Sequence, residues 1–239
     1  YLDDSANAII TKYLGDRSRV QIPRGLDGNP VVGIGPKAFS GNTYMTFLEI
    51  HDKITEIELG AFQGCVNLGE VRFGAGLSSI GISAFEDTAL YWVQLPASLA
   101  YLYNRAFANC VNLKEVNLPR GLRPVGSEVF ADCPNLTLKV YKGSPGHAYA
   151  LDNHIQHQVV PESIRLPATA SVTKGSQVQL QASAEPPEAN QEALWSSSDN
   201  NIATVDDKGL VTGVVPGTAT ITATAKLGSG VTGSCKITV

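Results

Sequence analysis

Charge is scarce in this chain. Asp, Glu, Lys and Arg make up 17 % of its 239 residues, the net charge is −4, and no run of Lys or Arg exceeds two. That excludes a phosphate backbone as a partner, because nucleic-acid binding needs a basic cluster or stripe. No apolar run approaches the roughly 20 residues of a membrane-spanning helix, so this segment is expected not to insert into a membrane. Nucleophile elbows, phosphate loops and dinucleotide fingerprints are missing as well. The expectation is a chain that is not an enzyme and uses no cofactor. Phenylalanine is also unevenly placed: all seven lie before residue 131. The first residue is Tyr1 rather than Met, which reads as a piece of a longer precursor, so the compartment must be argued from domain type.

Metal ligands are few. His154-x-x-His157 with Asp152 straddles a predicted helix end, and no third ligand follows at a diagnostic spacing. The Ser196–Asn201 run and Asp206-Asp207 carry oxygens that suit Ca²⁺, but they read more simply as solvated turn residues. No metal site is expected.

What the chain does have is a repeat. The stretch LKEVNLPRGLRPVGSEVFADCPN (113–135) matches residues 90–112, 68–89, 44–67 and, divergently, 20–42. One phenylalanine marks each copy: Phe39, Phe62, Phe85, Phe107 and Phe130, spaced 23, 23, 22 and 23 residues apart. A fixed period in the twenties, with Leu and Val at set offsets, specifies a solenoid. The alternating pairs Leu48/Ile50, Val71/Phe73, Val93/Leu95 and Val116/Leu118 predict a short strand with one buried face. Pro96 and Pro119 lack the N–H that would continue pairing, which limits that strand to three or four residues. A second extended piece follows (Ile54/Ile57, Leu77/Ile80, Leu99/Leu102, Leu122/Val125), and Ala-Phe then sits in a tight turn with its ring inward.

Both ends break the period. Ala8–Ile22, with Gly15-Asp16 as its turn, predicts a hairpin that caps the first rung. After a last strand at Leu138–Val140, Ser144 and Pro145 predict an N-cap and first helical residue, the helix running to about Asn153. Ile155–Val160 returns as a strand. Beyond Pro161-Glu162 the composition shifts to Thr, Ser, Ala and Val, with seven or eight short strands between turn signals, the spacing of a β-sandwich. Trp195 is expected in its core. The fold class is therefore mainly β: a solenoid of about five rungs capped at both ends (1–160), then a sandwich (163–239). The two are expected to unfold as separate units.

Cys65, Cys110 and Cys133 occupy one slot, three residues after the phenylalanine; Asn42 and Thr88 fill it elsewhere. A small inward side chain repeated down a stack predicts buried free thiols rather than a redox pair. Cys235, alone in the last strand, is also read as core.

The string Ile80-Gly81-x-x-Ala84-Phe85, with Ala61-Phe62-x-x-Cys65 and Ala106-Phe107-x-x-Cys110, resembles the BspA-like class of bacterial leucine-rich repeats over about residues 1–160. The motifs Leu194–Ser198, Ile202–Asp206, Gly209–Thr212 and Gly217–Ile221 resemble a group 2 bacterial immunoglobulin-like domain. These resemblances imply an extracellular bacterial protein, secreted or on the cell surface. The implied function is adhesion or protein binding, with the solenoid as ligand face and the immunoglobulin-like domain as spacer. The rival reading is a carbohydrate-binding accessory module of a multidomain secreted protein; a purely structural spacer is a third. The partner is thus a host or bacterial surface protein, or a glycan, and the chain is expected to be a monomer.

Alternation also predicts what faces out. If Val93 and Leu95 are inward, Trp92 and Gln94 are outward, and one exposed row holds Phe47, Glu70, Trp92 and Glu115. The adjacent row holds Glu49, Arg72, Gln94, Asn117 and Lys139. Tyr91 precedes Trp92, and Tyr101 and Tyr103 stand where the neighbouring copy has Ser79 and Gly81. Large rings in place of small residues predict a contact surface centred on the rung 90–112, rimmed by Glu70 and Glu115. Ordinary cross-strand packing of these rings is the competing reading.

Overall fold

The computed structural model describes residues 1–228 and 230–239. Contacts divide the chain into two compact units, Tyr1–His157 and Gln158–Val239.

The first unit is a parallel β-solenoid. Strands Arg19–Gln21, Phe47–Glu49 and Glu70–Arg72 pair in direct register in one sheet, and Trp92–Gln94, Glu115–Asn117 and Thr137–Val140 pair in direct register in the next. The second strands of the rungs form another parallel sheet, in the order Ala8–Ile10, Asn29–Ile34, Glu56–Ile57, Ser79–Ile80 and Tyr101–Leu102. The five rungs marked by phenylalanine are extended at both ends, giving about seven turns.

The phenylalanines form the spine. Phe39, Phe62, Phe85, Phe107 and Phe130 stack in order, with ring centroids 4.9, 5.0, 5.3 and 5.7 Å apart. Each lies in a turn that carries two left-handed residues, one two places before the ring and one two places after it. The second is Gly41, Gly64, Asp87, Asn109 or Asp132, residue types that tolerate positive φ. The first includes Lys37, Ser83, Arg105 and Glu128, whose side chains carry no such signal. Backbone N–H groups in the turn alternate in direction. Ser40 and Gln63 donate within their own rung, to Lys37 and Gly60, whereas Phe39, Phe62 and Phe85 donate to Ala61, Ala84 and Ala106 of the next. The turn column is therefore a third hydrogen-bonded ladder, which satisfies backbone groups buried beside the core.

The N-terminal segment corrects the expected hairpin over Ala8–Ile22. Ala8–Ile10 and Arg19–Gln21 do not pair with each other; each joins a different parallel sheet. Packing decides this, because Tyr13 stacks on Phe39 at 4.9 Å and extends the spine by one ring. The hairpin that covers this end lies earlier, where Leu2 bridges Ala8 and Asp3 accepts from the N–H groups of Ser5 and Asn7. A further hairpin, Gly25–Leu26 with Asn29–Pro30, turns through Asp27 and Gly28 at positive φ. It lengthens the copy that looked divergent. The C-terminal end follows the sequence: Ser144 caps the helix Pro145–Asp152 by accepting from His147 N–H. Tyr149 there packs edge-on against Phe130.

All four cysteines are free. Burial pushes the Cys65 and Cys110 thiols up to about 11 and Cys133 to about 12.

Among its described residues the second unit holds nine strands from Ser163 onward rather than seven or eight. Residues 177–185 divide into two strands, Gln177–Gln179 and Ser183–Glu185, which pair with Leu210–Gly213 and Ser163–Arg165 in different sheets. Thr218–Ala225 is flanked by Ala193–Ser197 and Thr232–Thr238. Trp195 is half-buried and packs against both apolar clusters of the sandwich, one around Ile221 and Ile237, the other around Ile164 and Ala223.

Candidate functional site

The rung 90–112 places its four large rings on two sheets. Trp92 lies on the strand Trp92–Gln94 with Tyr91 just before it, and Tyr101 on the strand Tyr101–Leu102 with Tyr103 just after it. All four are between 42 % and 53 % exposed. On the first sheet Trp92 is in register with Glu115, and Gln94 with Asn117. The Trp92 indole N–H donates to Glu115 Oε1 at 3.3 Å, and Lys139 Nζ reaches the same oxygen at 2.6 Å. Asn117 Nδ2 donates to Gln94 Oε1 at 2.6 Å, and the Lys114 ammonium lies 4.8 Å from the Tyr91 ring centre. Arg72 and Glu70 form an ion pair at 3.0 Å. The carboxylates that the sequence placed as a rim are thus neutralised within the sheet.

Phe47 is the exception to the exposed row. It is 4 % exposed, because the Arg19 guanidinium lies 3.8 Å above its ring and Arg72 approaches from the next rung at 5.2 Å. Its side chain is outward in register yet covered, so it offers no contact surface. Sequence reasoning missed this, since the inserted hairpin hides the register between Arg19 and Phe47.

On the second sheet Tyr101 and Tyr103 lie parallel, 9° between planes and 6.1 Å between centroids. Arg123 stands 5.8 Å over Tyr101 from the following rung. Tyr101 is in register with Ser79 and Ser79 with Glu56.

A further charged cluster was not anticipated. Arg105 donates to Glu86 at 2.7 and 3.2 Å and to Glu128 at 2.6 Å. Glu86 is 7 % exposed; burial raises its carboxyl, but hydrogen bonds from Ser83, Arg105 and Gln63 outweigh that and hold it below the usual range. The left-handed turn position of Arg105 aims it across neighbouring rungs, which the sequence pattern does not reveal.

The weighed metal ligands are otherwise engaged. Asp206 accepts from the N–H groups of Lys208 and Leu210, and Asp199 from that of Asn201. His157 packs edge-on against His147 and its Nδ1 lies 3.1 Å from the Ile155 carbonyl oxygen. Among the described residues no group of three or more His, Cys, Asp or Glu side chains is placed to hold a metal ion.

Residues 32–144 match the BspA type leucine-rich repeat region in six copies, and residues 161–235 match the bacterial Ig-like domain, group 2. The solved T. pallidum leucine-rich repeat protein superposes with a TM-score of 0.57 at 31 % identity, covering 59 % of this chain and 67 % of that one. The chain belongs to the BspA-type leucine-rich repeat family. It carries in addition a group 2 bacterial immunoglobulin-like domain. A leucine-rich cell surface protein from Faecalibacterium prausnitzii shares the fold, with a TM-score of 0.54 at 22 % identity over 62 % of this chain and 39 % of the other. Two curated enzymes contain similar segments. The 3-O-alpha-D-galactosyl-alpha-L-arabinofuranosidase of Bifidobacterium longum subsp. longum is 42 % identical over 79 residues, 33 % of this chain and 7 % of the enzyme. The lacto-N-biosidase of Bifidobacterium bifidum is 45 % identical over 58 residues, 24 % and 5 % respectively. The BspA-type chain thus spans a small fraction of these curated relatives. Among its described residues no helix is long and apolar enough to cross a membrane.

Proposed function

We propose that this chain is a protein-binding segment of a secreted or surface-displayed bacterial protein, with the solenoid as recognition surface and the immunoglobulin-like domain as spacer. The observation that carries the reading is that four large rings of one rung, Tyr91, Trp92, Tyr101 and Tyr103, are all between 42 % and 53 % exposed. Aromatic side chains supply large contact area at low entropy cost, and an exposed cluster marks a recognition site. The domain types support an extracellular, non-catalytic role. The second reading, a carbohydrate-binding accessory module, is favoured by the two glycosidase relatives. Surface binding of the whole chain to a panel of extracellular matrix proteins, beside a glycan array, separates the two. Saturable binding to a protein, lost on changing Trp92 and Tyr103 together to Ala, supports the first. Binding to glycans alone overturns it.

A further inference from the structure

The outer face of the second sheet has a recessed rung. Ile57, Ile80 and Leu102 point inward and are buried, so the residues flanking them face out. These are Glu56 and Glu58, then Ser79 and Gly81, then Tyr101 and Tyr103. Ser79 is 6 % exposed, and Gly81 has no side chain and packs closely against the Glu58–Leu59 backbone, so the middle rung is the floor of a trough. The tyrosine pair forms one wall and the glutamate pair the other. With strands about 4.8 Å apart, the backbones of the two walls stand roughly 10 Å from each other. That width admits one flat side chain lying on the floor.

The glutamate wall lacks the cation that several other carboxylates of the solenoid have. Glu70, Glu86, Glu115 and Glu128 each face an Arg or Lys. Among the described residues Glu56 and Glu58 have no ion-pair partner; Glu56 accepts only the Ser79 hydroxyl at 3.1 Å, and Glu58 meets the Tyr1 hydroxyl. Burial and the neighbouring charge of Glu56 raise the Glu58 carboxyl above its usual range, a penalty that a cation relieves and a neutral ligand does not. Arg123 approaches Tyr101 from the following rung, 5.8 Å from its ring centre, which leaves the Ser79 side to another group.

Resting on the protein-binding reading above, we infer that this trough receives an arginine side chain of the partner protein. A guanidinium stacks on an aromatic face and donates in a fork to carboxylates, so one group answers both walls. The same solenoid already does each half with its own residues: Arg19 lies on Phe47, and Arg105 donates to Glu86 and Glu128. The Trp92 face lacks this asymmetry, since Glu115 there is neutralised by Lys139.

The test is an NMR titration of the full chain with the blocked pentapeptide Gly-Gly-Arg-Gly-Gly and with its citrulline counterpart, which keeps the shape and drops the charge. The arginine peptide is expected to shift amides of residues 56–58, 79–81 and 101–103. The citrulline peptide should bind roughly tenfold more weakly. Glu56→Gln with Glu58→Gln should abolish the shifts and Tyr103→Ala should weaken them several-fold, with unfolding midpoints unchanged. Equal shifts from both peptides, or shifts scattered over all acidic residues, overturn the inference. So does lactose moving the same amides when the arginine peptide does not, an outcome that assigns the trough to sugar. If a panel protein binds the Glu56→Gln, Glu58→Gln variant as tightly as the parent, the trough inference fails and the protein-binding reading stands. If the arginine peptide titrates yet no panel protein binds, the trough is supported and the wider reading fails.

Discussion

The Cys110 thiol donates to the carbonyl oxygen of Phe85, one rung earlier, at 3.2 Å. Cys65 does the same to Phe39 at 3.2 Å and Cys133 to Phe107 at 3.3 Å. The cysteine slot is therefore a polar clip on the aromatic spine as well as a small core side chain. Where the slot holds threonine, Thr88 Oγ1 donates to the Phe85 carbonyl of its own rung at 2.9 Å.

Alkali should loosen the solenoid through these thiols. They ionise near 9.0 when unfolded, but burial holds them protonated to about 11 (Cys65, Cys110) and about 12 (Cys133) in the native state. In that window the unfolded chain has released protons that the native chain still holds, so stability falls as pH rises. Below pH 9 the contribution is fully present. Denaturation midpoints between pH 8 and 11 should decline more steeply for the parent than for a Cys65→Ala, Cys110→Ala, Cys133→Ala variant. Alkylation under non-reducing denaturation should label all three thiols; a protected pair would contradict the clip.

Emptying the spine should cost more. Phe107 is fully buried between Phe85 and Phe130. Phe107→Ala is expected to destabilise the solenoid by roughly 3–5 kcal/mol. The sandwich transition in the same denaturation curve should not move. Tyr13→Ala, at the end of the stack, should cost less because a ring there has a neighbour on one side only.

Arg105 should matter through Glu86. Removing the guanidinium leaves a buried carboxylate without its cation, so Arg105→Met should destabilise the solenoid, by less than for a fully buried pair because Arg105 is partly exposed. Adding Glu86→Gln should recover part of the loss, and a double-mutant cycle measures the coupling. The parent should also lose stability as pH falls through the lowered Glu86 carboxyl, where protonation breaks the pair, and this slope should flatten in the double variant. Additive losses would mean that the two residues act separately.

In the sandwich, Gly209 sits at φ +81°, and a Cβ there would lie 2.6 Å from the Trp195 ring and 2.8 Å from the Leu180 carbonyl oxygen. Gly209→Ala combines positive-φ strain with that clash. A loss of about 1–3 kcal/mol confined to the sandwich transition is expected, read by calorimetry. A shift in the solenoid transition instead would place the strain elsewhere.

The sequence by itself determined the architecture, because its determinants are periodic. One ring in each of five copies, one small slot three residues later and alternating apolar pairs specify a stack, and only inward rings bury them. The helix cap at Ser144-Pro145 was legible for a similar reason: its signal is local. What the tertiary structure decided is everything that depends on register between rungs. Arg19 covers Phe47 only because an inserted hairpin brings residues 28 apart onto neighbouring strands. The N-terminal strands left their expected hairpin because Tyr13 gains a place on the spine. Lys139 neutralises Glu115, and Arg105 reaches Glu86, across rungs whose side-chain pairing no period encodes. Glu56, Ser79 and Tyr101 likewise become one trough only when three distant copies lie in register, since charge and shape complementarity are properties of space and not of spacing.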